Sequence, residues 1–428
     1  MGLFADHCPS QIRGRSPTAI GEVSYIRTRE WLIVRARQVV PGLIAAVIAV
    51  SLAGVASAEP AQAEVGINLQ PPKEAVRGPN RTHPGEIFHE QQASFNLGTL
   101  NYAIRYMACI DPAHPTKVSP IEGYIGMPLP SSSNWYAGGF LFIRLNGRDI
   151  GATPQSSMMV VERGDRAMLD MVWRDEAANV RVRFIGLPGY DCLFCEVTLE
   201  PIEEITSVGI RFSCYPSYFT SWNKRDGARR IQTPSQLVEQ GPRTEWAPLS
   251  ENWWGVYYDE VFDVAKGEGA GPCSMLIVPE EGGEVSFSPG SYGVGTDTRL
   301  PGDTTRVRMA FWDHKGVANA DALSLVGEQA DDIREMLEQA DFTPVAVREF
   351  DVAAAREQVE EALASENTRE ELADQIEQIQ KWLATNAPGP GEENTTPSVA
   401  AQEDLLRSID MYNSFKWQVL LTELLNNL

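Results

Sequence analysis

Cysteine and histidine are scarce: the 428 residues hold six of the first and five of the second. Past the first 58 residues the cysteines are Cys109, Cys192, Cys195, Cys214 and Cys273, an odd and sparse set that rules out a disulfide framework. Cys192-x-x-Cys195 falls inside a strand pattern, where its thiols point to opposite faces. A redox pair wants its first cysteine at a helix start, and zinc wants a second ligand pair. His83, Glu86 and His89 are three apart, but they sit in a Pro/Gly-rich stretch without helical period, which argues against a metal site. Asp313-His314 reads most simply as a surface pair at the end of a strand, with a catalytic pair as the sharper reading. The sequence has no Gly-x-Ser-x-Gly elbow. Gly267-x-Gly-x-Gly271 lacks the Lys-Ser/Thr of a phosphate loop and reads as a turn. No cofactor and no metal are expected.

Positive charge is also short. Lys and Arg number 36 against 58 Asp and Glu, a formal charge of −22. The first 58 residues hold six Arg and three acids, so the remainder carries −25. Residues 321–428 hold 23 acids and seven bases, which is −16 of that. Such a surface repels nucleic acid and anionic lipid, so neither is an expected partner.

One long uncharged run is present. Four arginines between Arg27 and Arg37 precede Val39–Ala58, which ends in Ala56-Ser57-Ala58; Ala61-Gln62-Ala63 offers a second small-x-small site. This is the pattern of a signal peptide with a long leader, residues 1–58, cleaved after Ala58 or Ala63. The expected product is exported, periplasmic or extracellular, and has no membrane segment after cleavage. An uncleaved anchor is the alternative, since 20 apolar residues can span a bilayer.

Residues 59–98 are Pro-rich and read as a lead-in. Residues 99–320 carry about ten to twelve strand signals at short spacing, the rhythm of a large antiparallel β-sandwich. Asn146-Gly147 marks a hairpin turn, and Arg163-Gly164-Asp165-Arg166 another. Residues 321–386 change to a helical period. Asp351 is a candidate N-cap, and Thr368-Arg-Glu-Glu371 reads as a capping box. A helical hairpin is expected over 351–386, a linker over 387–401, and an amphipathic helix over 402–428.

Strand faces can be assigned from alternation. Leu169, Met171 and Trp173; Val180, Val182 and Phe184; Leu193, Cys195, Val197 and Leu199; and Val208, Ile210, Phe212 and Cys214 form the apolar faces of four strands. Matching those faces sets Val182 opposite Cys195, Arg181 opposite Glu196, Glu196 opposite Arg211, and Asp170 opposite Arg183. Arg181, Glu196 and Arg211 would then form one transverse row on a solvated face. Cross-strand charge pairing alone accounts for such a row.

Aromatics are dense from Tyr215 to Tyr258, with nine in 44 residues interleaved with Lys224, Arg225, Arg229 and Arg230. Rings offer stacking faces for sugars, and guanidinium forks suit carboxylate or sulfate. The candidate ligand surface is therefore Trp222, Arg225, Arg229, Trp253, Trp254, Tyr257 and Tyr258, joined by Arg181, Glu196 and Arg211. Core filling by one member of each adjacent aromatic pair is the plainer reading. Glu245, Glu251, Asp259 and Glu260 supply nearby carboxylates, but sequence cannot give the separation a glycosidase needs.

The stretches GGFLFIRLNGRDIG and VRVRFIGLPGYDCLFCEVTLEP, with the strands of 274–312, resemble the galactose-mutarotase-like supersandwich of carbohydrate-active proteins. The resemblance implies a sheet whose concave face takes a sugar. The His-Pro-Tyr-Phe stretch of the aldose epimerases in that group has no counterpart: His83-Pro84 runs into Gly85, and His114-Pro115 into Thr116. Three readings follow. The first is binding or processing of a glycan, an acidic one included, through the aromatic and arginine surface. The second is a non-catalytic envelope protein docking a partner through its C-terminal helices. The third is a polysaccharide hydrolase or lyase.

Overall fold

A computed structural model describes residues 65–120, 122–217, 225–279, 282–385 and 398–426. Two antiparallel sheets face each other, followed by a helical appendage, as expected for the fold class. The nine-stranded sheet runs, in spatial order, Leu237–Glu239, Arg229–Gln232, Trp254–Asp259, Cys273–Pro279, Arg306–Asp313, Leu193–Pro201, Ala178–Gly186, Ala167–Arg174 and Ser157–Glu162. The eleven-stranded sheet runs Gly66–Leu69, Ile87–Asn96, Asn101–Ile110, Tyr124–Leu129, Leu141–Leu145, Val208–Cys214, Val294–Leu300, Glu284–Pro289 and Ala247–Pro248. Lys73–Val76 and Arg148–Asp149 pair at its side. The segment read as a lead-in is thus part of the sandwich: Ile67 and Phe95 point into the core, and the prolines at 71, 72, 79 and 84 fall between strands.

The main core lies between the sheets. Phe184 and Phe311 enter it from one side and Phe95, Phe212 and Phe287 from the other, with Trp135 and Phe140 edge-on to Phe311 at 5.3 and 5.0 Å. All four assigned apolar faces point into this core. Asn146 and Gly147 both take positive φ, 53° and 80°, and close the hairpin between 141–145 and 148–149.

The strand sequences differ between the sheets. RVRMAFWD and CSMLIVP of the nine-stranded sheet are apolar on both faces, whereas VGIRFSC of the eleven-stranded sheet alternates strictly. A strand covered on both sides reads as a continuous apolar run, and a half-covered one alternates. The cover is helical. Helix α1, Asn319–Gln339, packs on 254–259, 273–279 and 306–313; α2, Val345–Glu349, packs on 157–162. Helices α3, Val352–Ala364, α4, Glu366–Glu371, and α5, Ala373–Thr385, form the hairpin, and α6, Val399–Asn426, lies across both the hairpin and strands 167–201. Together they build a second core on the outer face of the nine-stranded sheet, around Met168, Ile185, Phe194, Leu276 and Trp312.

Asp351 caps α3 by accepting the Ala354 N–H at 2.9 Å. The capping box expected at Thr368 is displaced: Ser365 caps α4, and Thr368 is buried inside it. Among the described residues no helix is long and apolar enough to cross a membrane. The apolar run 39–58 lies outside them.

Candidate functional site

The transverse row expected from the sequence does not form. Asp170 does lie opposite Arg183, but Arg183 rather than Arg181 lies opposite Glu196, and Val182 lies opposite Val197. The slip is two residues, which keeps every apolar face correct and is therefore invisible to a parity argument. Arg211 is not beside Glu196 at all. After Pro201–Glu204 the chain crosses to the other sheet, and Arg308 takes the place next to Glu196. The real row is Asp170–Arg183–Glu196–Arg308, and it is dry.

Both arginines of that row are closed by the tail. Arg183 makes a two-pronged pair with Asp170, 2.6 Å on each prong, and donates to the Phe342 carbonyl at 2.6 Å. Arg308 donates to Glu196 at 2.9 Å and to the Leu337 carbonyl at the end of α1. Arg181 reaches Glu196 at 3.4 Å, Thr198 at 2.9 Å and Gln402 of α6. Burial pulls the Arg181 guanidinium down to about 10. Glu403 of α6, its side chain fully buried, accepts from Arg174 at 2.8 Å and Ser156 at 2.9 Å. Arg181 and Glu196 therefore hold the appendage to the sheet; they present nothing to a ligand.

Several aromatic and basic candidates are also internal. Tyr257 is core and hydrogen-bonds Thr296 across the sheets at 2.9 Å; Tyr258 lies under the helices. Arg229 is fully buried 3.3 Å from Asp259, donates to the Pro216 carbonyl, and has its pKa lowered by burial. Asp259 in turn accepts the backbone N–H groups of Ala228, Val261 and Phe262, a structural task. Arg225 is half-exposed, pairs with Glu268 and stacks on Phe262 at 5.0 Å. Trp254 is half-buried against the outer core. Trp253 lies beneath Arg334 of α1 at 5.0 Å and lines a cavity of about 390 Å³ with Arg306, Arg308 and Glu338. Trp222 lies outside the described residues.

His314 is not at the surface. It accepts from or donates to Ser274 Oγ at 2.9 Å, and burial brings it down to about 4. Asp313 accepts from Asn134 at 3.1 Å, and burial carries it up to about 7. The His314 ring and the Asp313 carboxyl are both buried, which removes the catalytic reading of an accessible dyad. Cys192 belongs to the outer core and Cys195 to the inner one, so their thiols do point to opposite faces.

Arg211 alone of the predicted row is open to solvent, and it leads to a cluster the sequence did not reveal. On the outer face of the eleven-stranded sheet, Ile210 and Phe212 turn inward, so Arg211 turns out, opposite Asp297. Thr296 and Thr298 turn inward, so Asp297 and Arg299 turn out. Three guanidiniums converge on Asp297: Arg211 at 3.1 Å, Arg243 at 3.5 Å and Arg144 at 3.9 Å. Arg243 also donates to Ser286 Oγ at 2.9 Å, and Arg299 pairs with Glu284 at 3.3 Å. Trp246 lies against both Arg243 and Arg299, 5.0 and 4.2 Å from its ring centre. Gly295 makes room for the cluster, since a Cβ there would stand 3.0 Å from the Arg211 guanidinium.

The same strands end in a tyrosine row. Tyr136 and Tyr215 meet edge-on at 4.6 Å, and Tyr215 and Tyr292 at 5.0 Å. Burial, then the neighbouring Tyr292 and Tyr136, push the Tyr215 phenol well up, so it stays a neutral hydroxyl. The four arginines outnumber the two carboxylates they touch, in a chain of net charge −22. The α-helices with substantial contacts to a sheet, α1, α2 and α6, pack on the nine-stranded one. An aromatic row and a cationic patch on the same strands can hold a ring by aromatic contact and an anionic substituent by forked hydrogen bonds.

No protein-family model matches the chain, and no curated protein sequence does. Solved structures do. An α-N-acetylgalactosaminidase from Bifidobacterium bifidum matches at 11% identity and a TM-score of 0.32, over 58% of this chain and 38% of that one. A GH36 α-galactosidase from Geobacillus stearothermophilus matches at 10% identity and 0.30, over 52% and 40%. A protein assigned as an aldose 1-epimerase, from Escherichia coli K12, matches at 12% identity and 0.26, over 51% of this chain and 97% of that one. The chain spans about two fifths of the length of the first two structures.

Proposed function

We propose that the chain binds a carbohydrate bearing a carboxylate or sulfate on the open face of the eleven-stranded sheet, in the exported setting its N-terminal pattern indicates. The observation that carries this is the convergence of Arg144, Arg211 and Arg243 on the single carboxylate of Asp297, with Arg299 and Trp246 alongside. An acidic protein repels an acidic glycan at long range, so a local excess of guanidinium is what such a ligand needs. Asp297 keeps the three side chains fanned toward one point, which limits the entropy lost when the ligand arrives. The tyrosine row supplies sugar-stacking faces at the end of the same strands.

Glycan-array binding with the wild type and with Arg211→Gln/Arg243→Gln tests the reading. Binding to uronate-containing or sulfated glycans is expected, weakening with salt because exposed charges are screened over about 8 Å at physiological ionic strength. The double variant is expected to bind at least about tenfold more weakly with its unfolding midpoint nearly unchanged. Salt-insensitive binding to neutral sugars, equal in both proteins, contradicts the anionic part of the proposal.

A further inference from the structure

We infer that the C-terminal half of α6 is a self-association surface, on which a second copy of this chain docks antiparallel about a two-fold axis near Leu421. Trp417 is 74% exposed, and Leu420, Leu421, Leu424 and Leu425 are between 51% and 60% exposed. Their spacing of three, one, three and one puts them on one side of the helix. The other side is already occupied: Leu405, Ile409, Tyr412, Phe415 and Val419 are buried against the rest of the appendage. The last turns of α6 are therefore apolar on both sides, the mark of a helix covered from both.

The occupant follows from area and charge. The five side chains leave about 600 Å² of surface per chain, so at full burial two copies would together cover about 1,200 Å², the size of a small specific interface. Charge makes a like partner acceptable at this place and an anionic surface unacceptable. Residues 321–428 carry −16, yet 412–428 hold only Lys416 and Glu423 and are neutral. Two chains can meet there without bringing their acidic surfaces into register, whereas an anionic lipid surface would face the rest of the tail. A surface paired with its own copy must be self-complementary under a two-fold, and an antiparallel pairing centred on Leu421 sets Trp417 against Leu425 of the partner.

The test is the mass of the whole chain by sedimentation velocity across about 1–100 µM, a range that brackets weak and moderate dimers. A dimer is expected, and Trp417→Glu/Leu421→Glu is expected to weaken it at least about a hundredfold while leaving the circular dichroism unchanged, since both side chains are exposed. Leu421→Cys should give an inter-chain disulfide under mild oxidation, and Leu237→Cys, an exposed position on the nine-stranded sheet, should not. A monomer throughout the range overturns the proposal, as does a dimer that survives the double substitution. Flotation of a monomeric protein with phosphatidylcholine vesicles, lost in the double variant, would also overturn it by assigning the stripe to a membrane.

Discussion

Arg183 and Arg211 stand on the outer faces of the two sheets, each opposite an aspartate, and their surroundings differ completely. Arg183 and Asp170 are 1% exposed, and the remaining nitrogen of the guanidinium donates to a backbone carbonyl 159 residues away. The Arg211 side chain is 35% exposed, and its aspartate is shared with two further arginines. On the covered face, carboxylates and carbonyls match the arginines and lock the appendage down. On the open face, arginine is in excess. A sheet face that pairs its charges with its own chain is structural; the face that gathers an excess of the sign opposite to the whole protein is the one to which the proposed function assigns the ligand.

This contrast makes graded predictions. The largest effect belongs to the covered face: Asp170→Ala strands the Arg183 guanidinium in the interior and should lower stability by about 3–5 kcal/mol, read from urea unfolding. Glu403→Ala removes the buried acceptor of Arg174 and Ser156 and should lower stability by about 1–3 kcal/mol. Helix α6 should then become the first segment cleaved in limited proteolysis.

A pH effect of intermediate size concerns the buried pair at the end of strand 306–313. Asp313 is raised from 3.8 to about 7, so its contribution to stability is present below about pH 4 and is lost as pH rises toward 7. His314 is lowered from 6.5 to about 4, so its contribution is present above about pH 6.5 and is lost as pH falls toward 4. The two oppose each other across the same window. Asp313→Asn removes one of them, so the stability difference, wild type minus variant, should fall steadily between pH 4 and 7. A constant difference in urea midpoints would contradict the burial of an ionisable Asp313. The smallest effect is on the open face, where Arg211→Ala should change stability by less than about 1 kcal/mol.

Sequence made the inner architecture readable because alternation is a local signal. The inward faces of four strands, the Asn146-Gly147 hairpin, the Asp170–Arg183 pairing and the Asp351 cap all follow from residues close in the chain or from parity. Two things were not local. A two-residue slip between 178–186 and 193–201 preserves parity, and the Pro201–Glu204 turn looks the same whether it closes a hairpin or sends the chain to the opposite sheet. The open-face cluster depends on the second, since Arg144, Arg211, Arg243 and Asp297 come together only once Arg211 is assigned to the other sheet. One signal was available and carried the answer: continuous apolar strands such as RVRMAFWD announce a covered face, and alternating ones such as VGIRFSC an open one. Tyr258 stands on a strand of the covered kind, under the helices, and Trp253 lies beneath Arg334 of α1.

The most direct test of the contrast between the faces is hydrogen–deuterium exchange with and without a sulfated or uronate-containing oligosaccharide. The account predicts new protection in Arg243–Trp246, Val208–Cys214 and Val294–Leu300, with α1, α6 and the strands beneath them unchanged. Protection confined to Asn319–Gln339 and the strand of Trp254 would place the ligand on the covered side and contradict it.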